Sequence, residues 1–312
     1  MQSVQTLGVR QLSPQRMWLA DLSLLLVAVV WGSSYSVAKT ALSLVPVLPF
    51  LFIRFALTSA LILPLVRREL AANLPGTLRA GIPLGGVLFL IFVCETAGVA
   101  NTTAANAAFL ISLCVVLTPV VEGITFRRFP GWGTLAAAGL SCVGAGLLAL
   151  EHGYRFSLGD LLMLAAALLR AVMVTATKKL TQGRSLDTGA LTAVQLITVA
   201  ALTGVSLLAT GAQGLSLPTD VKFWGPMLYL CLFCTLLAFY IQTHMVRLTT
   251  PTRVSMLMGT EPVFGALFAM LLLGERVSPQ GMLGGGLIVA ATYYGIRREN
   301  ARRGGAPTEQ PA

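Results

Sequence analysis

The chain has 312 residues, 55% of them hydrophobic and only 11% charged, with a formal net charge of +10 and a mean hydropathy of +0.79. Soluble domains carry about 25% charged residues, so this composition excludes a water-soluble globular enzyme, a disordered chain and a secreted disulfide scaffold. What remains is a polytopic helical membrane protein, in which each helix satisfies its own backbone polar groups.

A bilayer core about 30 Å thick takes about 20 apolar residues per helix. Ten such runs follow one another, at about 18–39, 46–66, 80–100, 103–124, 131–150, 159–178, 188–210, 223–245, 252–273 and 279–297. The first is too long for a signal peptide and lacks a small-residue cleavage motif, so it reads as a retained helix. The links are short. Asn101-Thr102 is nearly the whole connection between runs three and four, and Pro130-Gly131, Gly183 and Gly211 to Gly214 interrupt helices where runs end. The expectation is an all-α membrane protein of ten transmembrane helices. Residues 1–17 form an N-terminal segment and 298–312 a disordered, Gly/Pro/Gln-rich tail.

The basic residues orient the chain. Arg10, Arg16, Arg67, Arg68, Arg79, Arg127, Arg128, Lys178, Lys179, Arg184, Arg247, Arg253, Arg297, Arg298, Arg302 and Arg303 fall on one side, and Lys39, Arg155, Lys222 and Arg276 on the other. A 16-to-4 bias places both termini in the cytoplasm of a bacterial-type inner membrane. The positive charge is thus topological and requires no nucleic-acid partner. Cys94, Cys114, Cys142, Cys231 and Cys234 all lie inside apolar runs, without a second Cys/His pair at ligand spacing, and read as small packing residues.

The chain repeats itself weakly. Asp21-Leu22 through Lys39 matches Asp160-Leu161 through Lys178 at an offset of 139, and Ala105 to Gly133 matches Arg253 to Gly281 at an offset of 148. Two halves of five spans, 18–150 and 151–297, must enter the membrane from opposite sides. Such an inverted repeat lets two bundles rock around a midplane cavity.

Trp31-Gly32, Arg54, Asn106-Ala107-Ala108-Phe109-Leu110, Thr260-Glu261-Pro262-Val263 and Leu273-Gly274-Glu275-Arg276 resemble motifs of the EamA-type transporters of the drug/metabolite transporter superfamily. The resemblance covers about residues 20–297. It implies ten helices, cytoplasmic termini, a central cavity and, for most members, export of small metabolites such as amino acids.

A charged side chain at mid-bilayer costs about 2.5–3.5 kcal/mol on insertion scales, so it survives in a cavity or beside a partner. Arg54, Glu95, Glu122, Arg170 and Glu261 are such residues. The 139 offset puts Arg170 at the counterpart of Trp31, where the family usually has an aromatic. Its planar fork suits a substrate carboxylate or phosphate; the competing reading is an ion pair with Glu95 or Glu122. By the resemblance Glu95 stands where the family commonly has a glutamine; it is a candidate for proton coupling or ammonium binding, or a neutral acid serving as that glutamine would. Glu261-Pro262 and Pro119 mark helix breaks suited to gating. Glu122 reads as a salt-bridge partner of Arg127 and Arg128. Trp31 and Tyr35 share one face of the first run; with Asn106, Tyr240, Gln242 and Arg54 they complete the candidate lining. Ala137, Ser141, Ala145 and Ala149, like Gly281 and Gly285, form small-residue stripes for close packing, either inside the bundle or in a homodimer.

No HExxH or P-loop is present, and Gly284-Gly285-Gly286 sits inside an apolar run. No cofactor is expected, nor ATP-driven transport by this chain alone. The reading favoured is therefore secondary export of a small polar metabolite, an amino acid or an amino-acid-derived carboxylate. Import of a vitamin or other small metabolite is the alternative. A membrane assembly subunit and an intramembrane enzyme are the readings from other classes.

Overall fold

The computed structural model describes residues 14–102, 104–149, 157–211, 220–273 and 278–304. These form thirteen α-helices and one π-helix, with no strand among the described residues. The helices are α1 (Pro14–Leu42), α2 (Val47–Ala72), α3 (Leu74–Asn101), α4 (Ala104–Ser112), α5 (Cys114–Phe126), α6 (Trp132–Ala149) and α7 (Leu158–Thr181). They continue with α8 (Thr188–Ala209), α9 (Val221–Tyr229), the π-helix (Leu230–Leu237), α10 (Ala238–Leu248), α11 (Pro251–Met258), α12 (Glu261–Leu273) and α13 (Pro279–Gly304).

Among the described residues, seven helical stretches are long and apolar enough to cross a membrane. They coincide with expected runs one to four and six to eight. Run five is the shorter apolar helix Trp132–Leu147. Run nine is interrupted at Gly259–Thr260, and in run ten glycines and tyrosines dilute the apolar residues of α13. The segment from residue 298, expected to be disordered, is helical as far as Gly304, because Arg297 to Arg303 simply prolong α13 beyond its apolar part.

The helix ends follow their sequences. Ser157 and Asp160 form a reciprocal capping box at α7, with the Asp160 carboxylate accepting from Ser157 N–H at 2.7 Å. Asp187 caps α8 and Thr250 caps α11 by accepting from Ala190 N–H (2.8 Å) and Arg253 N–H (3.1 Å). Runs four and nine are each broken once, at Leu113 and at Gly259–Thr260. Leu113 is the 148-offset counterpart of Glu261, the residue just after the second break, so the two breaks fall within one or two positions of each other in the two halves. Pro119, expected to open run four, instead lies inside the continuous helix α5. Pro262 sits just after its break, at the start of α12, where its missing N–H is harmless.

The packing pairs α3 with α7 and α8, α2 with α8, α6 with α13, and α1 with α11 and α12. Glycines permit the tightest crossings. A Cβ on Gly32 would lie 2.8 Å from the Glu261 carbonyl, and one on Gly144 would lie 2.6 Å from the Gly284 carbonyl. The small residues of α6 thus serve an internal contact with α13.

Polar locks close each end of α1. Arg253, a loop charge by sequence, is 1% exposed. Its Nε and Nη2 donate to both Asp21 carboxylate oxygens at 2.7 and 2.5 Å, and its Nη1 to Asn300 Oδ1 at 2.6 Å. Nearby, Glu122 accepts from the backbone N–H and hydroxyl of Thr252. This replaces its expected pairing with Arg127 and Arg128, because the start of α11 offers an N–H and a hydroxyl together. At the far end, 18 positions or about 27 Å along α1, Lys39 donates to the Thr102 carbonyl at 2.8 Å and Thr102 donates to Asp160 at 2.6 Å.

Asp21→Asn leaves a fully buried guanidinium without its counter-charge. The expected loss is on the order of 3–5 kcal/mol, read as a lowered unfolding temperature in detergent. The double change Asp21→Leu/Arg253→Met recovers most of it, since paired apolar replacement is near neutral. A D21N protein as stable as wild type contradicts the lock.

Candidate functional site

The breaks and crossings bring polar side chains from both halves to one cavity. Trp31 and Tyr35, one turn apart on α1, face it together, with Arg54 from α2, Phe92 and Glu95 from α3, Arg170 from α7, Cys234 from the π-helix and Phe239 from α10. The cavity volume is about 30 Å³, room for about two water molecules.

An ion triad sits on it. Arg170 Nη2 donates to both Glu95 carboxylate oxygens at 3.2 and 3.3 Å, and Nη1 to Glu261 Oε2 at 3.2 Å. The other Glu261 oxygen accepts from the Tyr35 hydroxyl at 2.5 Å. Side-chain exposure is 13% for Arg170 and Glu95 but 3% for Glu261, so the Glu95 edge faces the cavity and Glu261 backs it. The guanidinium carbon lies 4.7 Å from the Trp31 ring centroid, a cation–π contact between residues at repeat-equivalent positions. One guanidinium thus faces two carboxylates, a formal excess of one negative charge when both are ionised.

The aromatic wall is held by a fault in the helix ladder. Over Leu230–Leu237 the turns widen, and the Ala238 N–H reaches back to the Phe233 carbonyl. A π-segment leaves carbonyls to outside donors. The Cys234 carbonyl takes the Trp31 indole N–H at 2.8 Å. Trp31, Phe239, Phe92 and Phe55 then follow in contact, with centroids 5.2, 5.6 and 4.6 Å apart. Arg54, 6% exposed, donates from Nε to the Thr235 hydroxyl at 2.8 Å and lies 5.0 Å from the Phe92 centroid. The five cysteines are free; Cys231 and Cys234 pack from the π-helix against α2 and α1.

Of the residues expected at a site, the structure gathers Trp31, Tyr35, Arg54, Glu95, Arg170 and Glu261. Arg170 pairs with Glu95 as one sequence reading had it, and with Glu261 rather than Glu122. Tyr240 is 44% exposed and stacks on His244, and neither it nor Gln242 lines the cavity. The π-segment rotates the faces that follow it, so Phe239 points inward in their place. The side chain of Asn106 lies outside the described residues. Phe92, one turn before Glu95, could have been found from its i, i+3 spacing. Thr235 and the Cys234 carbonyl carry no sequence signal, because the helix fault creates their role. Among the described residues no cluster suits a metal ion.

The sequence matches the EamA-like transporter family twice, over residues 18–150 and 157–295. The chain belongs to that family. It is 27% identical to an uncharacterized transporter of Archaeoglobus fulgidus over 87% of this chain and 84% of the relative. It is 24% identical to the S-adenosylmethionine/S-adenosylhomocysteine transporter of Chlamydia trachomatis over 89% and 88%. A Salmonella typhimurium protein named "Probable amino-acid metabolite efflux pump" is 29% identical over 89% and 95%. A solved crystal structure superposes with a TM-score of 0.73 at 18% identity, over 93% of this chain and 99% of that one, which establishes the fold.

Thr235→Val removes the acceptor of a buried Arg54 donor and is expected to cost about 1–3 kcal/mol, measured by thermal unfolding in detergent. Thr235→Ser keeps the hydroxyl and retains most of that stability. Equal stability of the valine variant and wild type would rule out this contact as an anchor of Arg54.

Proposed function

We propose that this EamA-like transporter is a secondary active exporter of a small amino-acid-derived metabolite, working by alternating access around the Glu95–Arg170–Glu261 triad. In this reading ten spans cross a bacterial-type inner membrane with both termini in the cytoplasm. The halves 18–150 and 151–297 form the two moving bundles. A homodimer is compatible with this arrangement.

The observation that carries the proposal is the pairing of opposite charges, Glu95 and Arg170, on the cavity wall. Within the triad two carboxylates face one guanidinium, and Arg54 on the same cavity wall supplies the second positive charge, so the wall offers both signs to a zwitterion. An α-amino acid brings an ammonium for Glu95 and a carboxylate for Arg170, whose bidentate fork suits it. A substrate with a further cationic centre reaches the Trp31 ring only by displacing Arg170 from it. The relatives named for S-adenosylmethionine and for amino-acid metabolites fit that chemistry. Loading such a molecule into about 30 Å³ requires the bundles to separate, and the helix breaks at Leu113 and Gly259–Thr260 are the hinges proposed for it. Glu261, held by Tyr35 and Arg170, takes the gating role together with Pro262, while Glu95, at the open edge, takes substrate or coupling-ion binding. Pro119 softens α5 beneath the first hinge.

Counterflow in proteoliposomes tests this. Saturable exchange is expected within a panel of amino acids, S-adenosylmethionine and organic acids; a flat response across it sinks the proposal. Arg170→Gln is expected to lower flux at least about tenfold, the equivalent of about 1.4 kcal/mol. Transport that Arg170→Gln leaves unchanged reassigns Arg170 to structure. Glu95→Gln is expected to abolish the pH dependence of flux, and an unaltered profile removes Glu95 from coupling.

A further inference from the structure

A second cavity, of about 450 Å³, lies away from the triad, where the start of α6 meets the end of α13. It is lined by Trp132, Gly133, Thr134, Tyr294 and Arg298, among others. Three positive or donating features converge there. The first is the N-terminus of the 18-residue helix α6, reached through Gly131 at φ +86° and with no acidic residue in its first turn. Such an end carries partial positive charge and unpaired N–H groups.

The second is Arg298. A Cβ on Gly133 would lie 3.4 Å from Arg298 Cδ and Nε, so the arginine stem crosses directly over the helix start. The guanidinium stacks on Tyr294 at 5.1 Å and donates Nε to its hydroxyl at 2.8 Å. Among the described residues, no Asp or Glu forms an ion pair with it. A cation laid on the positive end of a helix is an unfavourable arrangement unless an anion joins them. The third is Thr134, 2% exposed, whose hydroxyl has no hydrogen-bond partner.

The surroundings identify the source of the anion. Trp132 is 78% exposed and Phe129 56%, with their rings 5.2 Å apart, and Tyr293 is 63% exposed. Exposed Trp and Tyr at a helix end mark headgroup level in a bilayer, and basic pockets between helices at that level bind anionic headgroups. We propose that this pocket holds the phosphate of an anionic phospholipid. The Arg298 guanidinium and the first N–H groups of α6 face its oxygens, and the Thr134 hydroxyl turns to donate to it. The lipid ties α6 to α13 at the membrane surface.

Native mass spectrometry of the full-length protein in neutral detergent tests this without any transport readout, so its failure and that of the proposed function are separable. The probes are phosphatidylglycerol, phosphatidylcholine and inorganic phosphate. Wild type is expected to retain one phosphatidylglycerol under activation that strips phosphatidylcholine. Arg298→Gln weakens that retention about tenfold, and Arg298→Lys restores part of it, since a point charge replaces the fork. Thr134→Val, nearly isosteric, weakens it in the same direction. Arg298 is exposed, so unfolding temperatures in phosphatidylcholine alone are expected to match wild type. Equal retention by wild type and Arg298→Gln overturns the proposal. So does a site that binds inorganic phosphate and shows no preference for phosphatidylglycerol.

Discussion

An ion triad inside an apolar bundle constrains everything around it. Each charged group at mid-bilayer costs several kcal/mol unless partnered, and breaking a buried pair leaves an uncompensated charge. Glu95 comes from α3 in the first half, whereas Arg170 and Glu261 come from α7 and α12 in the second. The two halves therefore cannot part at this level without exposing charge, and whatever separates them must replace the lost partner or bring water. A cavity of about 30 Å³ at the same place has room for about two water molecules.

The internal repeat explains why the triad is central. Trp31 and Arg170 are equivalent positions, and they meet face to face at 4.7 Å. Equivalent residues of an inverted repeat can touch only near the axis relating the halves. Arg170 thereby puts a cation beside that axis. Two carboxylates then satisfy it, and a tyrosine hydroxyl holds one of them. The nearly equivalent helix breaks at Leu113 and Gly259–Thr260 flank the same level, as does the π-segment that turns Phe239 inward.

The ends of the bundle depart from that symmetry. Asp21 and Asp160 are repeat-equivalent, as are Thr250 and Thr102. Asp21 grips a fully buried arginine, Arg253, whereas Asp160 caps its own helix and takes the Thr102 hydroxyl. Arg253 has only Ala105 as its counterpart. One end is closed by a bidentate arginine fork on Asp21, whereas at the other Lys39 holds the Thr102 carbonyl and Thr102 gives a single bond to the Asp160 carboxylate.

Much of this was legible in the residues alone. A hydropathy of +0.79 with 11% charge admits little besides a helical membrane protein, because lipid leaves backbone groups only the helix or the closed barrel. Charges inside apolar runs marked Arg54, Glu95, Arg170 and Glu261 as special, since each must be compensated. Trp31 and Tyr35 were legible as a pair because four residues make about one helical turn. What one-dimensional spacing cannot hold is which compensation each charge finds. Only the folded chain showed that Arg170 spans Glu95 and Glu261, that Glu122 caps α11, and that Arg253 is buried against Asp21. These partners lie 75 to 232 positions apart, and helix crossings set by glycines bring them together. Tyr240 was misplaced for a local reason: a π-segment shifts helical phase without any period in the sequence to announce it. Periodicity and the cost of charge in lipid are properties of a sequence. Pairing across the bundle is a property of packing, and there the tertiary structure alone decides.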